Sequence, residues 1–117
     1  FVSLHVPLTE LTKGMIGKRE LSLMKSEAFL INTARGEVVD EDALLEALLK
    51  NKIAGAAIDV FKGEVPSKDN HLFKLENVIV TPHTAAHTEE AGIRMSVHSA
   101  IGIHEVLSGR EPSWPVN

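Results

Sequence analysis

Residues Phe29–Leu49 read FLINTARGEVVDEDALLEALL, an apolar run that breaks at a small-residue turn and resumes with helical periodicity. The run from Ala28 to Thr33 has the length and apolar continuity of a buried strand. Asp40 is a suitable N-cap, because its carboxylate can accept from the free amides that open a helix. Leu44, Leu45, Leu48 and Leu49 then recur on one helical face. Between strand and helix stands Thr33-Ala34-Arg35-Gly36, one cation among small residues. A buried strand feeding a helix is the building unit of a parallel sheet, since parallel neighbours need a crossover connection.

The alternation continues in both directions. Phe1–Val6 reads as a strand stopped by Pro7, which has no N–H for a ladder. Thr9–Gly17 is loop-like, and Lys18–Lys25 forms a short helix. Gly55–Val60 is a third strand, whose small residues suit close packing under a helix. A loop from Phe61 to Asn70 and a helical turn at His71–Leu75 lead to a fourth strand, Asn77–Thr81, stopped by Pro82. Thr88 caps a last helix over about residues 88–109, with Glu89 and Glu90 at its positive end and Gly109 as its stop. Ile93, Val97, Ala100, Ile101, His104 and Leu107 share one face of it. The fold class expected is α/β, part of a doubly wound parallel sheet ending in a long helix.

Composition narrows the function. The chain has 117 residues, room for one modest core, and 44% hydrophobic with 24% charged content is ordinary for a globular protein. A net charge of -4 argues against a nucleic-acid partner, which usually calls for a basic excess. No apolar run approaches the length needed to span a bilayer, so no membrane partner is expected. Without cysteine there is neither disulfide nor thiolate chemistry, which fits a cytoplasmic location. The chain opens inside an apolar run, as a piece of a longer polypeptide does.

In open α/β sheets, ligands collect beyond the carboxyl ends of the strands. The four strands deliver to that edge His5 and Pro7; Thr33, Ala34, Arg35 and Gly36; Asp59, with Glu64 in the loop beyond; and Thr81, Pro82 and His83. Taken singly, each has an ordinary reading: a solvated turn arginine, a strand-end cap, an exposed loop carboxylate, a fixed loop histidine. Their convergence from separated parts of the sequence is what marks the edge as a site. His83 and His87 lie four apart with Glu89 and Glu90 nearby, but Thr88 as a cap puts both histidines before the helix, and no metal site is assigned. His5, His71, His98 and His104 read as packing or surface residues.

The segments LHVPLTELTKGMI, INTARGEVVDEDAL, AGAAIDVFKGEVP and VIVTPHTAAHTEEA follow one another as they do in the D-isomer-specific 2-hydroxyacid dehydrogenases, and the sequence resembles that family over nearly its whole length. The resemblance implies that residues 1–117 are the second half of a Rossmann-type NAD-binding domain with its long C-terminal helix. It also implies that the GxGxxG half and most of the substrate-binding domain are absent, and that the piece alone is inactive. It further implies NAD as cofactor, with NADP left open, a small 2-hydroxy or 2-keto acid as substrate, and a homodimer. By the same matching, Arg35 binds substrate, Glu64 supports the catalytic histidine, and His83 is the acid/base. Asp59 faces the nicotinamide carboxamide, Thr33 and Ala34 line its ribose, Pro7 and Thr12 occupy cofactor-loop positions, and His83 to Ala86, including Ala85, close over the ring. Val65 stands before Pro66 where the family usually has proline directly after the glutamate, a feature shared with some D-lactate dehydrogenase-like members. Two other readings stay open from residues alone: an NAD-sensing, partner-binding corepressor of the same fold, or an inactive fragment.

Overall fold

Four short strands, β1 (Val2–Leu4), β2 (Phe29–Asn32), β3 (Gly55–Ile58) and β4 (Val78–Val80), form one sheet in the order β1-β2-β3-β4. All three pairings are parallel. The computed structural model describes residues 1–63 and 66–115. The chain divides into two units, Phe1–Ala85 and the segment from Ala86 onward. The strands are shorter than the apolar runs that suggest them, because Val6, Thr33, Val60 and Thr81 already belong to the turns that follow.

Register explains how the first unit builds a core. Leu30 pairs with Ala56 and Ala56 with Val78, a row whose inner members are buried. Helices α1 (Lys18–Leu23) and α2 (Glu41–Leu49) cover this face with Leu21, Leu44, Ala47 and Leu48, and Leu72 and Ile53 complete the cluster. Each such leucine contributes about 1.5–3 kcal/mol by leaving water. The alternate row, Ser3, Ile31, Ala57 and Ile79, lies on the other face, where Ile79 is 68% exposed. Within this unit the helices pack on one face only, as half of a doubly wound sheet requires. Gly55 is small for a reason other than a covering helix: a Cβ there would stand 2.5 Å from the Asn77 carbonyl oxygen.

Asp40 caps α2 as its sequence position suggests, accepting from the Asp42 and Ala43 amides at 3.1 Å. The stripe below it is offset from the expected one. Ala47 is buried, whereas Leu49 at the helix end is 63% exposed. A 3-10 turn at Gly36–Val38 precedes the helix, and its Val39 bridges to Ile16, with the Asp40 amide donating to the Ile16 carbonyl at 3.0 Å. Gly36 sits against the Phe61–Lys62 backbone, where a Cβ would come within 2.1 Å of the Phe61 carbonyl carbon. No side chain fits that crossing.

The second unit is a single helix, α3 (Glu89–Leu107), followed by a short tail. Thr88 caps it, accepting from the Ala91 amide at 3.1 Å, and Gly109 ends it at φ 73°. Its tail folds back along it: Glu105 accepts from the Ser113 amide and hydroxyl, and Trp114 stacks on His98 at 4.2 Å. The apolar stripe expected on α3 exists, but Ile93, Val97, Ile101 and Leu107 are all exposed. Among the described residues no helix is long and apolar enough to cross a membrane.

These contacts rank two substitutions. Asp40→Ala removes a cap worth about 1 kcal/mol. Gly36→Ala forces two backbones apart and costs more, about 1–3 kcal/mol or above. Urea unfolding followed by circular dichroism should give a larger fall in midpoint for Gly36→Ala, and the reverse order would contradict the close crossing.

Candidate active site

The hydrogen-bond ladder of the sheet does not stop where the strands do. The Asp59 amide donates to the Asn32 carbonyl at 3.0 Å, the Thr81 amide to the Ile58 carbonyl at 3.1 Å, and the His83 amide to the Asp59 carbonyl at 2.9 Å. The turns after β2, β3 and β4 are therefore held to one another, and Arg35, Asp59 and His83 reach the same edge.

Asn32 shapes the first of these turns. Its side-chain amide donates to the Arg35 carbonyl at 3.0 Å, and its oxygen accepts from the Ala34 amide at 3.1 Å. Arg35 is exposed, with one guanidinium N–H donated to the Ala34 carbonyl at 2.7 Å. Among the described residues no carboxylate pairs with this guanidinium, which leaves donors for an anion.

Asp59 organises the turn after β4. Its carboxylate is 4% exposed and accepts from the Thr81 hydroxyl at 2.5 Å, the Thr84 amide at 2.8 Å and the Ala85 amide at 2.9 Å. Burial by itself would raise its pKa, but the donors on Thr81, Ala85 and Thr84, together with the nearby His83, outweigh burial and hold the acid below its ordinary 3.8. The turn thus carries His83 at φ 57°, a left-handed conformation uncommon for a side-chain-bearing residue.

Three hollows meet at these residues, one of about 320 Å³ being lined by Asp59, Phe61, Phe73, Thr81, Pro82 and His83. A cavity of about 180 Å³ is lined by Leu8, Arg35, Gly36, Glu37, Val60, Phe61 and His83, so the cation and the histidine face one space. A wider and more open hollow of about 600 Å³ runs along His5, Pro7, Thr33, Ala34 and Arg35. Val6 and Leu8 complete its lining, in which Thr33 and Ala34 are the small residues. Thr12 lies at its margin in sequence, but its hydroxyl closes the local loop, donating to the Pro7 carbonyl at 2.6 Å and accepting from the Thr9 amide at 2.8 Å. Another hollow, between α1 and α2, is lined by Lys18, Lys50 and Lys52 away from the strand ends. Glu46 pairs with Lys18 and Lys50 there.

Of the other residues singled out from the sequence, Glu64 lies outside the described residues, and Ala86 opens the second unit. The loop toward Glu64 is tethered at its start: the Lys62 amide donates to Glu41 at 2.8 Å and the Gly63 amide to Glu37 at 3.2 Å. The sequence places Thr81 at this edge without a role, and Asn32, Glu37 and Glu41 do not stand out in it. A polar residue closing an apolar strand was the available signal for Asn32, and a hydroxyl just before Pro82 was the signal for Thr81. Nothing local distinguishes the two glutamates. Among the described residues no group of three or more potential ligands is placed to hold a metal ion.

The family model described as D-isomer specific 2-hydroxyacid dehydrogenase, NAD binding domain, matches residues 1–85. The chain belongs to that family. Its dehydrogenase relatives include a D-3-phosphoglycerate dehydrogenase of Methanocaldococcus jannaschii, 50% identical over all of this chain and 22% of that protein. A glyoxylate reductase of Thermococcus litoralis is 49% identical over all of this chain and 35% of its own length. Among solved structures, the D-lactate dehydrogenase with NAD+ from Lactobacillus jensenii superposes with a TM-score of 0.88 at 38% identity, covering 98% of this chain and 38% of that one. The chain thus spans about a fifth to two fifths of the length of these relatives.

A pH dependence follows from Asp59. Because its folded pKa is depressed, its contribution to stability is present above the ordinary value of 3.8 and is lost as pH falls through the lower folded value. The unfolding midpoints of wild type and Asp59→Asn should therefore differ at pH 7 and converge as pH drops below about 4. A constant gap down to pH 2 would show that the carboxylate charge is not what stabilises the turn.

Proposed function

We propose that this chain forms part of the active site of an NAD-dependent D-2-hydroxyacid dehydrogenase, with Arg35 as the substrate carboxylate anchor and His83 as the acid/base. The observation that carries the reading is the shared cavity: Arg35 and His83, far apart in sequence, line one hollow with Leu8, Val60 and Phe61. A 2-keto acid presents a carboxylate next to a carbonyl, and a guanidinium beside an imidazole is the matching pair of groups.

The chemistry divides accordingly. Bound NAD would supply the hydride in reduction and accept it in oxidation. Arg35 orients the carboxylate through its fork of donors and polarises the adjacent carbonyl, a geometry that a lysine point charge does not reproduce. His83 gives a proton to the carbonyl oxygen in reduction and takes it from the hydroxyl in oxidation. Glu64, by the family's motif order, holds the imidazole of His83. Thr33 and Ala34, with Pro7, line the hollow that would take the nicotinamide end of the cofactor.

In a complete subunit carrying these residues, His83→Ala should lower turnover by about 10²–10⁴-fold with little change in NADH affinity. Unchanged turnover would remove His83 from the mechanism. Arg35→Lys should raise the KM for a 2-keto acid and depress turnover together, and normal kinetics in that variant would remove Arg35. Stopped-flow NADH oxidation over a panel of 2-keto acids reads both.

A further inference from the structure

Among the described residues only two polar side chains are counted as buried, Asn32 at 1% exposure and Asp59 at 4%. Polar groups taken from water are costly unless partnered, and among the described residues no buried side-chain nitrogen or oxygen is without a partner. Asn32 lines none of the three hollows at the strand ends. Its amide group instead spans the turn that carries Arg35, donating to the Arg35 carbonyl and accepting from the Ala34 amide. Its own carbonyl accepts the Asp59 amide, and the Asp59 carbonyl accepts the His83 amide. The Asp59 carboxylate then gathers Thr81, Thr84 and Ala85 around His83. A continuous hydrogen-bonded path therefore runs from the Arg35 turn to the His83 turn through two buried residues, one closing β2 and one directly after β3.

We propose that Asn32 is a positioning residue for Arg35, and that with Asp59 it forms a buried brace setting the separation of the Arg35 guanidinium from the His83 imidazole. The proposal rests on the roles given to Arg35 and His83 above. Carboxylate and carbonyl are neighbours in a 2-keto acid, so the groups that meet them must keep a fixed spacing, and a misplacement of about 1 Å costs on the order of 10²-fold in rate. The left-handed His83 needs such support, because without it the residue would relax toward an ordinary conformation. Leucine at position 32 would fill the same space and leave the Ala34 amide and the Arg35 carbonyl without partners.

The test uses Asn32→Asp, which keeps the shape and the acceptor but replaces the donor facing the Arg35 carbonyl, together with Asp59→Asn and the double variant, all in a complete subunit. For Asn32→Asp the KM for the 2-keto acid should rise at least about ten-fold while the NADH dissociation constant changes less than about three-fold. The double variant should lose less in kcat/KM than the product of the two single losses, as parts of one brace do. Amide hydrogen exchange adds a readout independent of activity: Asp59→Asn should speed exchange at Ala34, across the sheet from the substitution. Unchanged KM in Asn32→Asp, multiplicative losses in the double variant, or substrate and NADH affinities falling in parallel would each overturn the brace. Should Asn32→Asp fail to fold, unaltered exchange at Ala34 in Asp59→Asn overturns it alone. If Arg35→Lys proves kinetically silent, the reading of Arg35 fails, while accelerated exchange at Ala34 still registers the brace.

Discussion

A carboxylate can be buried at little cost only where donors meet its oxygens, and Asp59 is met by three. Everything at the ligand edge depends on that arrangement. It ends β3, draws the residues after β4 into a tight turn, and holds His83 in a conformation it would not choose alone. The adjacent strand repeats the device with a neutral amide, Asn32, whose partners are again the backbone of the following turn. Two strand ends thus carry a buried polar residue that ties down a turn, Asn32 the turn that bears Arg35 and Asp59 the turn that bears His83, and Arg35 and His83 line one cavity.

The sheet could be read from the sequence because parallel strands are short apolar runs bounded by proline or small residues, and Pro7, Gly36 and Pro82 supply those boundaries. The caps at Asp40 and Thr88 were equally legible, since a capping side chain acts on amides two or three residues away. Arg35 and His83 were reachable by topology, which sends all strand ends to one edge. What escaped depends on separations no local pattern encodes. Glu37 and Glu41 accept from Gly63 and Lys62, more than a strand and a helix away in the chain, and look like ordinary exposed glutamates. Gly36 reads as a turn residue, but its necessity comes from the Phe61 backbone crossing beside it.

Periodicity also overstates burial. Leu49 belongs to the leucine stripe of α2, yet it meets water while Leu48 beside it is buried, because one residue turns the helix by about 100° away from the core. The stripe on α3 recurs at helical spacing, and within its own unit the short tail, through Ser113 and Trp114, lies against the helix. Amphipathicity states which face of a helix is fit for covering, and tertiary structure decides whether anything covers it.

The parallel pairing has a consequence for tolerance to change. With every strand pointing the same way, the turns that carry Arg35, Asp59 and His83 occupy one edge, and the connections entering the strands, such as Lys50–Ala54 and Glu76–Asn77, occupy the opposite one. Within Lys50–Ala54 only Lys50, Asn51 and Lys52 are exposed, whereas Ile53 belongs to the core and the Ala54 amide donates to the Ala28 carbonyl at 2.9 Å. Both edges of the sheet are thus tied across the strands, the ligand edge through Asn32 and Asp59 and the entering edge through Ala54 and Asn77, so insertions are absorbed at the exposed Lys50–Lys52 stretch and not at either edge as a whole.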